Sequence, residues 1–314
     1  MRTRHGVLSI PGRWVLAVAT SHRPARLTAS FGERARGWLT RQGGRIISGD
    51  PLMPSFLLIG GKRCGSTTLH RSIIDHPHVL APRAAKSSHY FDVNHHRGAS
   101  WYESHFPSRS AAERLAARTG IMPITGESSP YYSFHPLAPQ RIAAELPNAR
   151  LILCARDPVE RAWSHYQYEV ARGFEDLPFR AALEQESERM HGQHDLLLAG
   201  ERSASHRHHS YLARGRYIEH LEMVEEHIDR SQIHLVVSEE LFVNPEATLN
   251  ELWKFLQLPA RRVEAIPRLK ATAPSDLPSA DAAWLADYYA PYNTRLVEWL
   301  GRDIDWHGSE RSES

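Results

Sequence analysis

Four consecutive apolar residues, Phe56-Leu57-Leu58-Ile59, run without a break into Gly60-Gly61. After Lys62-Arg63-Cys64-Gly65 the pattern changes, and Leu69, Ile73 and Ile74 recur at helical spacing until His76-Pro77 stops them. A short run with no polar alternation reads as a strand buried on both faces, which is the habit of parallel sheets. Strand, glycine loop and helix in immediate succession exclude an all-β sandwich and a plain helical bundle. The rest of the chain repeats the theme. Apolar strands are expected at residues 121–125, 150–155 and 233–238, with a short one at Val79-Leu80. Helical patterns lie at 66–76, 139–146, 158–172, 179–190, 217–228, 245–256 and 282–300. This alternation predicts an α/β fold: one domain with a central parallel sheet flanked by helices on both faces. Residues 184–209 are polar and rich in histidine and read as a lid or surface excursion.

Charge divides the chain. Residues 1–50 hold nine arginines against Glu33 and Asp50, although the whole sequence carries a net charge of only +2. Their apolar residues keep no period, and the segment reads as a poorly ordered basic extension before a domain at 51–306 and a flexible tail at 307–314. Such an arm leaves room for weak contact with an anionic membrane surface. Without an aromatic platform for bases, it is not read as a nucleic-acid binder. The longest apolar run within it, residues 14–19, is far below the ~18 residues a membrane helix needs, so no membrane anchor is expected. Cys64 and Cys154 are the two cysteines in 314 residues. That is no disulfide framework, and a reducing cytoplasm is the expected setting.

The loop at 60–67 has the form that cradles phosphate, with backbone N–H groups and a positive helix end facing the anion. Glycines placed only for packing produce the same spelling, so the flanking residues decide. Gly60, Gly65 and Thr67 fit the register of nucleotide-triphosphate loops, but the position of their lysine holds Ser66. The basic residues come earlier, at Lys62 and Arg63. A single phosphate-like group with a different leaving group fits better than ATP. A second element is Cys154-Ala155-Arg156-Asp157-Pro158, followed by a helix carrying Ser164. Arg156 offers a planar donor fork at a strand end and Ser164 a hydroxyl about two turns into the helix, a pair suited to a phosphate monoester. Strand C-termini are where open parallel sheets bind ligands. Trp163, Tyr166 and Val170 recur at helical spacing and are expected to face the core.

Together these segments resemble the sulfotransferases that use 3′-phosphoadenosine 5′-phosphosulfate (PAPS). Lys62-Arg63-Cys64-Gly65-Ser66-Thr67 is similar to their phosphosulfate loop, and Arg156 with Ser164 to their 3′-phosphate motif. Further segments resemble the heparan sulfate and carbohydrate branch. Lys86-Ser87-Ser88-His89-Tyr90-Phe91-Asp92, followed by Trp101-Tyr102 and Phe106-Pro107, is similar to its acceptor-side strand and helix. Glu127-Ser128-Ser129-Pro130-Tyr131-Tyr132 is similar to its next strand end, and Lys270-Ala271-Thr272-Ala273-Pro274 to the loop that closes over the nucleotide. The resemblance covers residues 55–306 and implies a P-loop-like domain that moves a sulfuryl group from PAPS to a hydroxyl or amine of a carbohydrate or glycoconjugate. Lys62, Arg63, Cys64, Gly65, Ser66, Thr67, Arg156, Ser164, Lys270, Ala271 and Thr272 would then bind the donor. Lys86, Ser87, His89 and Ser128 would face the acceptor. A nucleotide kinase and a non-catalytic nucleotide-binding protein are the competing readings.

The sequence departs from that family where the base should be. The glutamate of the branch's Lys-Glu pair is Ser87 here, the lysine after Glu127 is Ser128, and the lysine of the phosphosulfate loop is Arg63. Arginine stays protonated, so Arg63 can stabilise charge but cannot give up a proton. His89 is the expected base, projecting with Ser87 from one side of an extended segment, and Glu127 is held in reserve. His191, His194, His206, His208 and His209 are irregularly spaced among polar residues. They are read as a solvated loop, and no metal is expected.

Overall fold

The computed structural model describes residues 50–83, 86–263, 266 and 277–306. Four parallel strands make its sheet: β1 Phe56–Gly60, β2 Gly126–Ser128, β3 Arg150–Ala155 and β4 Ile233–Val237, in the order β2-β1-β3-β4. Chain connections leave β1 toward β2 on one side and, after returning, build β3 and β4 on the other. The crevice between the ends of β1 and β3 is therefore the topological switch point, where this class of sheet binds its ligands. The expected parallel α/β sheet with flanking helices is present.

Burial explains the strands. Phe56, Leu57, Leu58 and Ile59 have no exposed surface, nor do Leu151 through Ala155. Covering both faces is what an unbroken apolar run requires. β1 pairs with β2 as Phe56 opposite Gly126, and a Cβ at Gly126 would sit 2.3 Å from the Phe56 carbonyl oxygen. Only glycine lets these backbones meet. β3 pairs with β4 from Leu151–Ile233 to Ala155–Val237 without a slip.

The helix Pro158–Arg172 has the predicted bounds. Asp157 caps it, accepting from the Val159 N–H at 2.9 Å, with Pro158 in the first turn. Its Trp163 and Tyr166 pack on a second cluster of Phe179, Leu183, Tyr211, Leu285 and Tyr289. Val170 does not join them and is 43% exposed, because the cluster stops short of the helix's last turn.

Other expectations shift. No strand forms at 121–125, where Pro123 removes a ladder donor. A single bridge links Val79 to Ile124 instead, and the strand begins at Gly126. The helix expected over 179–190 is two, Phe179–Glu184 and Glu186–Met190, because the buried Glu186 turns to accept the Leu212 and Ala213 N–H groups. Sequence periodicity also missed helices at Arg109–Thr119 and Ser238–Val243. Among the described residues, no helix is long and apolar enough to cross a membrane.

Candidate active site

The loop after β1 is pinned before it reaches its helix. The Gly61 N–H donates to the Cys154 carbonyl at 2.8 Å, and a Cβ at Gly61 would lie 2.9 Å from that oxygen and from Cys64 Sγ. Arg63 and Gly65 take positive φ values of 70° and 74°, which turns the chain into the helix Ser66–Ile74. Gly65 is the N-cap, and no acidic residue occupies the first turn. The positive helix end is thus left to an outside anion rather than to a side chain of its own. Cys64 is buried, and its carbonyl accepts from Ser238 Oγ at 2.5 Å. Burial raises both cysteine thiols, so they serve as packing groups.

Lys86 arrives from the neighbouring connection. Its Nζ lies 3.2 Å from Thr67 Oγ1 and 3.4 Å from Ser66 Oγ. An ammonium therefore stands at the same helix end from which the nucleotide-triphosphate lysine is missing.

The second expected element meets the first. Arg156 follows β3, and one hydroxyl fixes its backbone: Tyr217 donates to the Arg156 carbonyl at 2.8 Å, and the Arg156 N–H points back to that oxygen at 3.3 Å. Its guanidinium is 3.4 Å from Glu160 and only partly buried. From the loop, Arg63 Nε donates to Ser164 Oγ at 3.1 Å, while its guanidinium lies over the Tyr168 ring at 4.9 Å. Arg63 and Ser164 thus meet between the loop after β1 and the helix after β3, Arg156 lies at the end of β3, and Lys86 reaches the helix end that follows β1.

Lys62 takes another direction. Its Nζ donates to Glu169 Oε1 at 2.6 Å and to the Arg207 carbonyl at 3.2 Å. Glu169 has no exposed side-chain surface and also receives His208 Nδ1 at 2.9 Å, with His165 and Arg172 within 3.6 Å. Burial would raise its carboxyl, but Lys62 and His208 outweigh that and hold it below its usual value. Sequence reasoning passed over Glu169. Its signal was a carboxylate four residues after His165 and three before Arg172, on a helix already assigned to the site.

On the acceptor side the structure separates the two candidate bases. Glu127 is 1% exposed, and its carboxylate accepts from the Ser88 N–H (2.7 Å), Ser88 Oγ (2.8 Å), Ser129 Oγ (3.2 Å) and the Tyr132 hydroxyl (2.8 Å). The two from Ser88 hold the 86–89 connection against β2. His89 keeps 27% of its side chain exposed and pairs through Nδ1 with the fully buried Asp92 at 2.8 Å. The segment is not extended at this point, since His89 has a φ of 52°. It therefore does not share a strand face with Ser87, whose hydroxyl turns away to the Ser128 carbonyl. Ser128 is fully buried. Lys270, Ala271 and Thr272 lie outside the described residues.

The histidine-rich segment is exposed at His191 and His194, as expected, but not at its C-terminal end. His206 is 4% exposed, bonded to the Tyr131 hydroxyl at 2.7 Å and stacked on Phe134. Burial beside Arg214 pushes its ring down to about 2. His208 stacks on Phe174, His209 reaches the Phe174 carbonyl, and Arg202 reaches the Val93 carbonyl at 3.4 Å. The segment bridges the glycine loop and the acceptor side. Polar composition concealed this, because His206 and His208 have buried polar partners in Tyr131 and Glu169.

Cations, hydroxyls and a glycine-capped helix end at the switch point of a parallel sheet define an α/β protein built to hold phosphate-type anions. The sulfotransferase domain model matches residues 53–278, and the chain belongs to that family. It is 30% identical over 213 residues to the bifunctional heparan sulfate N-deacetylase/N-sulfotransferase 1 of Caenorhabditis elegans, covering 66% of this chain and 22% of that protein. It is 28% identical to the mouse (Mus musculus) heparan sulfate glucosamine 3-O-sulfotransferase 3A1, covering 84% of this chain and 67% of that one. The chain thus spans about a fifth of the first relative and about two thirds of the second. A crystal structure of a sulfotransferase from Alicyclobacillus acidocaldarius shares the fold, with a TM-score of 0.58 at 24% identity, covering 80% of this chain and 97% of that one.

Proposed function

We propose that this protein transfers the sulfuryl group of PAPS to a hydroxyl or amine of a carbohydrate or glycoconjugate. One observation carries the reading: Lys86 stands beside Ser66 and Thr67 at a glycine-capped helix end, and Arg63 of the same loop bonds Ser164 on the helix that follows Arg156. A nucleotide with phosphate at both 3′ and 5′ positions fits that donor set. Arg156 and Ser164 would hold the 3′-phosphate. The loop amides of Gly65 to Thr67, with Lys62, Arg63 and Lys86, would hold the 5′-phosphosulfate. PAPS brings an activated sulfuryl group whose departure leaves charge on a phosphate. Fixed cations in a half-buried site stabilise that charge without reorganising.

The acceptor must lose a proton as it attacks. His89 is the residue arranged for this, because Asp92 holds its Nδ1 and leaves Nε2 to take the proton. A buried carboxylate orienting an imidazole is the usual second member of such a pair. Glu127, saturated by four donors, supports the segment that carries His89. The heparan sulfate relatives favour a glycan acceptor.

Labelled PAPS offered with glycosaminoglycans, oligosaccharides and glycolipids tests the proposal. Incorporation into at least one carbohydrate, with release of adenosine 3′,5′-bisphosphate (PAP), is expected. Micromolar PAP binding without transfer to any acceptor would instead mark a binding protein. Phosphoryl transfer from magnesium-ATP would mark a kinase.

A further inference from the structure

We propose that Glu169 is a positioning residue of the donor site, which holds the Lys62 ammonium in place beside the glycine loop and strengthens its hold on its proton. The inference rests on the reading of that loop as the phosphosulfate site. Lys62 sits in an unfavourable place for an ammonium. The side chain is 17% exposed, and two guanidinium groups, those of Arg214 and Arg172, act against its charge. Arg172 approaches from the helix Pro158–Arg172, together with His165 and the Tyr168 ring. The Arg207 carbonyl and the His208 ring approach from Ala204–His208, and the Arg214 guanidinium from the turn Ala213–Gly215. Glu169 is the carboxylate among them, at 2.6 Å.

Burial and the Arg214 guanidinium push the Lys62 ammonium down to about 7, against the pull of Glu169. Without Glu169 the same burial and the same cations remain, and the counter-charge does not. Lys62 would then lose its proton at lower pH than it does beside Glu169. Arg63 does not take over this function, because its guanidinium is already engaged by Ser164 and the Tyr168 ring. Glu169 also accepts from His208, so one carboxylate fixes both the ammonium and the segment lying over it.

Four lysines in the chain make the test direct. Acetic anhydride labelling of the intact protein between pH 6 and pH 10, read peptide by peptide in a mass spectrometer, follows the titration of Lys62 alone. PAP affinity is measured calorimetrically between pH 7 and pH 9, above the range where the 3′-phosphate itself titrates. Glu169→Gln is expected to shift Lys62 labelling to lower pH by at least one unit. It should also lower PAP affinity about tenfold or more at pH 8. Lys62→Arg, which cannot deprotonate, should flatten the alkaline fall in the Glu169→Gln background. An unshifted labelling curve in a folded Glu169→Gln protein overturns the proposal, as does a loss of affinity that the arginine does not restore. If Glu169→Gln fails to fold, Lys62→Arg alone must still flatten the alkaline limb of PAP binding, and a retained limb is equally fatal. Should labelling shift while the wild-type protein binds no PAP, the pairing stands and the functional reading fails.

Discussion

Arg63 Nε donates to Ser164 Oγ across 3.1 Å, joining the loop after β1 to the helix after β3. On the reading proposed above, Arg63 would serve the 5′ end of the nucleotide and Ser164 the 3′ end, so the bond links the two halves of the proposed donor site. Arg63→Ala should weaken PAP binding by about 1.5–3 kcal/mol, roughly 10- to 150-fold, as expected when a charge-assisted contact is lost. Ser164→Ala removes a neutral donor and should cost about 0.5–1.5 kcal/mol. Because the two side chains touch, calorimetry on the double variant should show a coupling of at least about 0.5 kcal/mol. Strict additivity would mean that the bond does not survive in solution.

Lys86 meets the helix end from a separate connection, beside Ser66 and Thr67. An ammonium there helps most as negative charge develops on the departing phosphate. Lys86→Ala should therefore lower kcat more than it weakens PAP binding. Steady-state kinetics beside calorimetry separates the two effects. Equal losses would reduce Lys86 to an anchor.

His89→Ala should reduce kcat about 10²- to 10⁴-fold with PAP affinity unchanged. Asp92→Asn should lower kcat in the same direction, because the pair at 2.8 Å sets which ring nitrogen faces outward. Glu127→Gln should act on stability instead. An amide in place of the carboxylate turns one acceptor into a donor facing the hydroxyls and N–H that now bond to it, a change worth about 1–3 kcal/mol. Thermal melts and turnover on the same preparations decide between the two. A Glu127→Gln protein that melts like wild type but has no activity would make Glu127 the base.

The apolar run before Gly60 and the strand-end Arg156 placed the sheet and its crevice, because buried strands and glycine turns write themselves into local sequence. The bounds of Pro158–Arg172 were equally legible from a capping Asp157 and a first-turn Pro158. Long-range pairing was not. Nothing local tells that Lys62 turns to Glu169, 107 residues away, while Arg63 turns to Ser164. The two lie side by side in sequence and part company only because Arg63 takes a left-handed backbone conformation. His89 was singled out by its place in a motif, and the extended geometry assumed for it is absent. The histidine segment misled for a related reason, since polar residues look alike in sequence whether water or a buried carboxylate satisfies them.

Glu175 offers a check on how that segment is held. Its carboxylate accepts from Arg189 Nη1 at 2.6 Å and Nη2 at 3.1 Å, and from the buried Tyr211 hydroxyl at 2.8 Å. It thereby ties the loop after Pro158–Arg172 to the helix Glu186–Met190 and to the second apolar cluster. Burial alone would raise this carboxyl, but Arg189, the Leu177 N–H and Tyr211 together bring it down to about 2. A carboxyl whose folded value lies below its unfolded value of 4.5 contributes stability that is complete above that pH and fades as pH falls toward 2. Glu175→Gln should therefore lower the melting temperature by a few degrees at pH 7, from the loss of about 1.5–3 kcal/mol of charge-assisted bonding. The gap between variant and wild type should narrow steadily in melts taken from pH 5 down to pH 3, because the wild-type carboxylate weakens while the amide does not titrate. A gap that stays constant over that range would show that Glu175 acts through packing and not through its charge.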